Sequence, residues 1–363
     1  MSLSIERFAE FFGALYKDKS GKPLAPFPWQ LRLAKQVFAG GWPDCIDLPT
    51  ASGKTVAIDI AVFLLACQAN RETKARTVGR RIFFAVNRRV IVDEAFERTR
   101  SLAQALIDAK DGILKEVADA LHEISGDKNA PPLDVAELRG GIYRDRAWAR
   151  SITQPIVVCT TADQLGSRLL FRGYGVSASS APIHAALCGC DSLVLLDEAH
   201  VTRAFSQTLH LLTRYQLQHK TAPAMRFVQM TATPTDNAKN RFTLDKYDDD
   251  NPVLKARQEA SKPATLHKPL GKRESIVNKM VECAFGTLSE ARKAIGIIVN
   301  RVQTARDIEK LIREGISIRN QKDATLDAEV HLVIGRMRPI DRDFLQDELR
   351  NLVGPDPATC AMS

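Results

Sequence analysis

The chain has 363 residues, of which 45% are hydrophobic and 26% are charged, as in a globular protein with room for two domains. This composition gives no sign of a membrane-spanning segment, because the longest apolar stretch, 56–67, is interrupted by Asp59 and is too short to cross a bilayer. The formal net charge of +8 favours a polyanionic partner.

The N-terminal segment, 1–19, has apolar residues at helical spacing and predicts a short amphipathic helix. Glu6, Arg7 and Glu10 stand where a signal peptide would have its apolar core. The seven cysteines include no C-x-x-C pair, as expected of reduced thiols in a reducing compartment. We therefore expect a cytoplasmic protein.

The stretch LPTASGKT at 48–55 predicts a phosphate-binding loop, because an apolar run precedes it and a longer apolar run follows it. Backbone N–H groups of such a loop converge on one anion at the positive end of a helix. Gly53 permits close approach, Lys54 adds a charge for the phosphates, and the Thr55 hydroxyl is a ligand for Mg²⁺. Leu48 stands where the full motif has its first glycine, so an ordinary strand–turn–helix corner is the alternative. The predicted nucleotide-binding residues of the loop are Pro49, Thr50, Ala51, Ser52, Gly53, Lys54 and Thr55.

Two polar pairs follow predicted strands in the middle of the chain. The strand 82–86 leads to Arg88 and Arg89, and the strand 156–159 leads to Thr160 and Thr161. Helices are predicted at 90–109 and 113–124. Between them and the second strand, the basic run 139–151 with its aromatic residues fits either a nucleic-acid contact or a solvated connector.

Asp197 and Glu198 directly follow the buried strand 192–196, at the position where open α/β sheets bind ligands. The first carboxylate can hold a Mg²⁺-bound water opposite Thr55, and the second can polarise the attacking water. A helix N-cap is the alternative interpretation, and the GKT sequence upstream favours the catalytic one. Strands that alternate with helices in this way predict a mostly parallel sheet covered on both faces.

The C-terminal third carries a second, shorter series of predicted elements. Helices are expected near 274–292, 305–314 and 341–353, and strands at 294–299 and 330–334. The predicted organisation is an N-terminal helix at 1–19, a first domain at 20–240, a linker at 241–272, a partial second domain at 273–354 and a disordered tail at 355–363.

Five motifs occur in the order typical of superfamily 2 helicases: Gln30, LPTASGKT, CTTADQL at 159–165, DEAH at 197–200 and MTATP at 230–234. The chain therefore resembles a DEAH-type helicase of that superfamily. Within the superfamily it is similar to the helicase–nuclease of type I CRISPR systems, on four further stretches. These are FFAVNRRVIVDEA at 83–95, LLFRGYGVS at 169–177, LVLLDEAH at 193–200 and GRMRPIDRD at 335–343.

The resemblance implies a RecA-like P-loop NTPase domain with a parallel sheet, followed by a partial second RecA-like domain. It implies ATP and Mg²⁺ as cofactors, with Gln30 recognising adenine and Trp29 or Phe27 packing on the base. Lys54, Asp197 and Glu198 then become the catalytic residues, with Thr55 and Asp197 as the Mg²⁺ ligands.

The same resemblance assigns residues to two other tasks. Those that couple the nucleotide to strand movement are His200, Thr231 and Thr233. Those that contact nucleic acid, with single-stranded DNA expected, are Arg88, Arg89, Thr160, Thr161, Asn300, Arg336 and Arg338. Ordinary loop polarity, or a solvated basic face for the last arginines, is the alternative.

Two features depart from a complete helicase–nuclease. The later motifs, which supply an arginine finger, have no counterpart before Ser363, and no histidine precedes an aspartate as in a metal-dependent nuclease. We therefore expect a truncated form, with a separate nuclease half and a CRISPR effector complex as its partners. An RNA helicase, a restriction-type translocase and a non-catalytic nucleotide- or nucleic-acid-binding module are the alternatives.

Overall fold

The computed structural model describes residues 3–140, 147–219, 223–233, 240–260, 263–268, 273–288, 294–322 and 328–334, and residues 337, 341, 344, 345 and 348. The chain divides into two compact units, and residue 260 is the last of the first unit before the second begins. Among the described residues, no helix combines the length and the apolar character that a membrane crossing requires.

The first unit is built on a seven-stranded sheet in which every neighbouring pair is parallel. Its strands are β1 (Cys45–Asp47), β2 (Arg81–Val86), β3 (Asp134–Leu138), β4 (Ile156–Thr161), β5 (Ser192–Asp197), β6 (Arg226–Thr231) and β7 (Arg241–Phe242). They lie in the order β3-β4-β2-β5-β6-β1-β7. The predicted α/β class with a parallel sheet is confirmed.

Ten α-helices are described in the first unit. They are α1 (Phe8–Leu15), α2 (Pro28–Gly40), α3 (Ala57–Cys67), α4 (Arg89–Asp108), α5 (Gly112–Ser125), α6 (Ala162–Leu169), α7 (Ala181–Gly189), α8 (Arg203–His219), α9 (Lys246–Asp249) and α10 (Pro252–Glu259).

The sheet separates two hydrophobic cores, because successive side chains of a strand point to opposite faces. Ile82 and Phe84 of β2 belong to the core that contains α3, whereas Phe83 and Ala85 belong to the core that contains Leu165 of α6. α3 is buried along its length from 57 to 66, since its residues are apolar all round apart from Asp59.

The N-terminal segment packs into the first unit. The rings of Phe8 and Phe11 lie 5.6 and 5.0 Å from that of Phe63 of α3. The buried Asp59 carboxylate accepts hydrogen bonds from Tyr16 Oη and from an Arg98 guanidinium nitrogen, both at 2.8 Å. Through these two hydrogen bonds, Asp59 links the N-terminal segment and α4 to α3.

The structure differs from the sequence prediction at three places in the first unit. β3 and α7 form in segments for which no regular element was predicted. Residues 241–260, predicted to begin a linker, belong to the first unit, where β7 pairs with β1. The reason is tertiary, because Asp248 is fully buried and its carboxylate accepts hydrogen bonds from Trp29 N and Arg32.

In the second unit, two helices are described with their bounds, α11 (Arg273–Thr287) and α12 (Val302–Lys322), and the described residues 341, 344, 345 and 348, within the helix predicted at 341–353, are helical. The helices α11 and α12 pack closely, since a Cβ built on Gly315 would lie 2.6 Å from Phe285 Cζ. The strands predicted at 294–299 and 330–334 are not formed, and Ile298 is 92% exposed. A strand needs a hydrogen-bonded neighbour, and the described residues of this unit supply none. The predicted tail at 355–363 lies outside the described residues.

Candidate functional site

The carboxyl ends of the parallel strands meet at one edge of the sheet, here called the carboxyl edge. The strand order divides this edge into two groups of neighbouring strands, here called its halves. The adjacent strands β5, β6 and β1 deliver Asp197, Thr231 and the loop that begins at Leu48. The adjacent strands β3, β4 and β2 deliver Arg139, Thr161 and Arg88. The predicted nucleotide residues and the predicted nucleic-acid residues of this unit therefore occupy different halves.

The loop 48–55 continues β1, with Leu48 N donating to Thr231 O at 3.2 Å. It turns through two residues with positive φ, Ala51 at 63° and Gly53 at 83°. Gly53 adopts its positive φ without steric cost, whereas the same conformation strains Ala51. The Lys54 ammonium donates to the carbonyl oxygens of Leu48 and Pro49 at 3.0 and 3.1 Å, so the lysine lies across its own loop.

Lys54 is 8% exposed, and this burial lowers the pKa of its ammonium. The negative charges of Asp197, Glu198 and Asp47 oppose that shift. The lysine and the acidic pair are thus close enough for their charges to interact, as the sequence predicts for the two halves of a phosphate site.

Two side chains from outside the loop hold its carbonyl groups. Trp29 Nε1 of α2 donates to Ser52 O at 3.0 Å. A guanidinium nitrogen of Arg257, on α10, donates to Ala51 O at 2.9 Å. The sequence predicts neither contact, since Arg257 lies 206 positions from Ala51 in the chain and no local pattern joins them.

Asp197 ends β5 in a largely buried position, and burial raises the pKa of its carboxyl from 3.8 to about 6. The positive charge of Lys54 opposes this shift, and the neighbouring Glu198 adds to it. Its Oδ1 atom is buried, and no hydrogen-bond donor among the described residues reaches it. An orphaned, desolvated carboxylate oxygen fits a hard divalent cation, so the residues present fit Mg²⁺.

Glu198 has a positive φ of 50°, a backbone conformation that costs energy for a residue with a side chain. His200 Nδ1 lies 3.3 Å from Glu198 Oε2 and 3.0 Å from Thr231 Oγ1. The Thr231 hydroxyl in turn accepts from Thr233 N at 3.1 Å. The structure thus brings together the histidine and the two threonines predicted for coupling, and joins them to the acidic pair.

Gln30 is fully buried, and its Oε1 accepts from Phe27 N at 2.8 Å, which caps the start of α2. Its Nε2 is buried without an acceptor among the described residues. The structure corrects the expectation for Trp29, which is fully buried because its indole bonds the loop, and so offers no face to a base. The Phe27 ring is also buried, at 2% exposure with the Arg257 guanidinium 5.8 Å from its centroid, so neither aromatic side chain expected to pack on the base has a free face.

On the other half of the carboxyl edge, Arg88 and Arg89 are exposed at the start of α4. The threonines of the second pair are buried instead. Thr160 Oγ1 donates to Leu138 O at 2.9 Å, and Thr161 accepts from Gln164 N as the N-cap of α6. Of the four residues, only the arginines present free side-chain surface.

A half-buried acidic pair, Asp93 and Glu137, underlies this half and was not predicted. Arg139 contacts both Asp93 and Glu137. Burial, with a hydrogen bond to Asp93, raises the pKa of Glu137 to about 7. Recognising β3 in the sequence would have predicted this pair, because Glu137 and Arg139 lie at the end of that short strand.

Asn300 is exposed just before α12 in the second unit. Arg336 and Arg338 lie outside the described residues.

No model of a known protein family matches the chain, and no curated protein matches it. Among solved structures, it is similar to that of the yeast DEAD-box splicing factor Prp28, with 14% identity and a TM-score of 0.35. The match covers 90% of this chain and 65% of that one, so the chain spans less than two thirds of the length of that protein.

Proposed function

We propose that this chain is the ATP-binding part of a nucleic-acid-dependent helicase or translocase. The observation that carries the proposal is the convergence at one sheet edge of Lys54, from the loop after β1, with Asp197 and Glu198, from the end of β5. These charges lie close enough to shift the pKa values of Lys54 and Asp197. An ordinary strand–turn–helix corner does not require this convergence.

Each residue has a task that its position supports. Backbone N–H groups of the loop and the Lys54 ammonium would bind the phosphates once the lysine leaves the carbonyls of Leu48 and Pro49. Asp197 and Thr55 would hold Mg²⁺, which neutralises charge on the phosphates when bound. Glu198 would orient and deprotonate the attacking water. The Gln30 Nε2, buried without an acceptor among the described residues, would bond the base once neighbouring side chains move to expose it.

His200 supports the link between nucleotide and nucleic acid. Its Nδ1 lies 3.3 Å from Glu198 Oε2 and 3.0 Å from Thr231 Oγ1, so a shift at the acidic pair would change the contact with the end of β6. In its finer form, which rests on the sequence resemblance, the proposal takes single-stranded DNA as substrate and CRISPR defence as the setting. A CRISPR effector complex and a separate nuclease are the partners in that form.

The test is ATP hydrolysis by the full chain with Mg²⁺, alone and with single-stranded DNA or RNA. We expect turnover or saturable Mg·ATP binding in the wild type, loss of nucleotide affinity in Lys54→Ala, and binding without turnover in Glu198→Gln. Lys74→Ala, at an exposed lysine of the same unit, is the matched control. Unchanged nucleotide affinity in Lys54→Ala would refute the proposal, and the DNA and RNA arms decide which nucleic acid stimulates the chain.

A further inference from the structure

The segment that follows α6, residues 170–176, exposes large side chains to solvent and is here called the aromatic loop. Leu170, Phe171 and Tyr174 are 55%, 61% and 48% exposed. Arg172, between the two rings, is exposed as well and is the only charged residue from 170 to 180. A partner that covered these exposed rings would gain the free energy of burying their apolar surface, and the neighbouring cation favours a partner with negative charge.

The aromatic loop is held by its own hydrogen bonds. Phe171 N donates to Arg168 O at 3.1 Å, and Arg172 N donates to Ser167 O at 2.7 Å. Phe171 is thereby kept at a φ of 59°, a conformation that a residue with a side chain adopts at a cost. Gly173 is packed so closely that a Cβ built on it would lie 2.7 Å from Val176 Cγ2. These bonds close the C-terminus of α6 with Phe171 in the left-handed conformation, and its ring is exposed there.

The aromatic loop reaches the carboxyl edge. Tyr174 Oη donates to Asp163 Oδ1 at 3.2 Å, and Asp163 lies in the first turn of α6, two residues beyond Thr161. α6 has eight residues and is about 12 Å long, so the aromatic loop folds back along it from its far end to the edge. Tyr174 therefore lies at the end of β4, in the half of the edge that also carries Arg88 and Arg89.

We propose that the aromatic loop is a stacking site for the bases of single-stranded nucleic acid, with the Phe171 and Tyr174 rings as platforms and Arg172 as a phosphate contact. This inference rests on the proposed function and adds a site that binds the bases by stacking. Aromatic faces accept any base, and a neighbouring cation pairs with the backbone between stacked bases. A strand is the favoured occupant because Arg172 is the only charge of the aromatic loop and Tyr174 lies in the half of the edge with the exposed Arg88 and Arg89, although the Tyr174 hydroxyl also bonds the Asp163 carboxylate.

The experiment compares the affinity of the full chain for an ordinary single strand and for an abasic strand of equal length and charge. Phe171→Gly removes one ring at a position whose positive φ suits glycine, and Tyr174→Ala removes the other. Tyr174→Phe keeps the ring and loses the bond to Asp163. Tyr215→Ala, which removes a 58% exposed ring of α8, is the matched control.

We expect Phe171→Gly and Tyr174→Ala each to weaken binding of the ordinary strand by about 5-fold or more. Their affinity for the abasic strand should stay at the wild-type value, as should that of Tyr215→Ala for both strands. Tyr174→Phe, which keeps the ring, should bind the ordinary strand more tightly than Tyr174→Ala does. Unchanged affinity of both ring-removing variants for the ordinary strand, or an equal loss on both strands, would overturn the inference while the proposed function stands. The first of these results would favour a protein contact at the rings. A wild type that binds neither strand would overturn the proposed function itself.

Discussion

At the scale of single residues, the candidate site is defined by charges that the fold removes from water. Lys54 and Asp197 are both desolvated, and burial lowers the pKa of the first and raises that of the second. Each shift disfavours the charged form that phosphate and Mg²⁺ binding require. Keeping both groups charged in the free protein therefore costs desolvation free energy, and bound phosphate and Mg²⁺ would offset it by supplying opposite charges.

This cost predicts how an Asp197→Asn substitution changes stability with pH. Asp197 has an ordinary pKa of 3.8 and a folded pKa of about 6, so between these values the folded protein retains a proton that the unfolded chain releases. The contribution of this group to stability is fully present below pH 3.8 and is lost as the pH rises through about 6. Without Mg²⁺ at pH 8, we expect Asp197→Asn to raise the free energy of unfolding by up to about 3 kcal/mol.

Denaturant unfolding of both proteins from pH 4 to pH 8, in the presence of a chelator, measures this effect. The gain should shrink towards zero at the acid end. Asp250→Asn, at an exposed carboxylate of the same unit, is the control and should show no such trend. A variant less stable than the wild type at pH 8 would contradict the desolvation of Asp197.

At the scale of elements, α10 has an unexpected part in the candidate nucleotide site. Its Arg257 bonds Ala51 O, the carbonyl of the residue with a φ of 63°, and lies over the Phe27 ring. A short helix more than 200 positions downstream thus helps to hold the phosphate-binding loop in shape. It does so because β7 and Asp248 fix the 241–260 segment on the first unit.

Removing this support should weaken nucleotide binding and leave the chemistry unchanged. For Arg257→Ala we expect nucleotide affinity to fall about 2- to 10-fold, the range of one hydrogen bond, with kcat unchanged. Lys255→Ala, at an exposed position of the same helix, is the control. Titration with Mg·ATP and steady-state kinetics measure both quantities. Tighter binding by Arg257→Ala would show instead that the arginine holds the loop in a form that excludes the nucleotide.

At the scale of the whole molecule, the net charge of +8 favours a polyanion, and we propose that the exposed Arg88 and Arg89 at the carboxyl edge form part of its binding surface. The strand order separates the half with Lys54, Asp197 and Glu198, at β5, β6 and β1, from the half with the exposed Arg88 and Arg89, at β3, β4 and β2. A nucleotide and a nucleic acid could therefore bind the same edge without competing for the same side chains.

The salt dependence of strand binding tests this division. If Arg88 and Arg89 each contact one phosphate, Arg88→Gln with Arg89→Gln should reduce the slope of log affinity against log salt by about 1.4 in total. Nucleotide affinity should stay unchanged, because these arginines lie in the other half of the edge. Arg100→Gln, at an exposed arginine further along α4, is the control. An unchanged slope in the double variant would remove Arg88 and Arg89 from the strand-binding surface.

The sequence by itself determined the α/β class and most strands of the parallel sheet. These features follow from local patterns, namely apolar runs of strand length, the turn chemistry around Gly53 and the acidic pair after β5. Local pattern misled where an element depends on distant partners. The apolar run 294–299 has the composition of a strand, yet Ile298 is 92% exposed and the described residues offer no neighbour to pair with it.

Only the tertiary structure decided which predicted site residues meet and what surrounds them. In the folded chain β6 lies between β5 and β1, and His200 contacts Thr231. The Trp29 indole donates to Ser52 O, and Arg257 donates to Ala51 O. The fold also buries Asp197 and so raises the pKa of its carboxyl to about 6. The physical reason is that burial and contacts between distant segments depend on how the helices pack on the sheet, which leaves no periodicity or spacing in the chain.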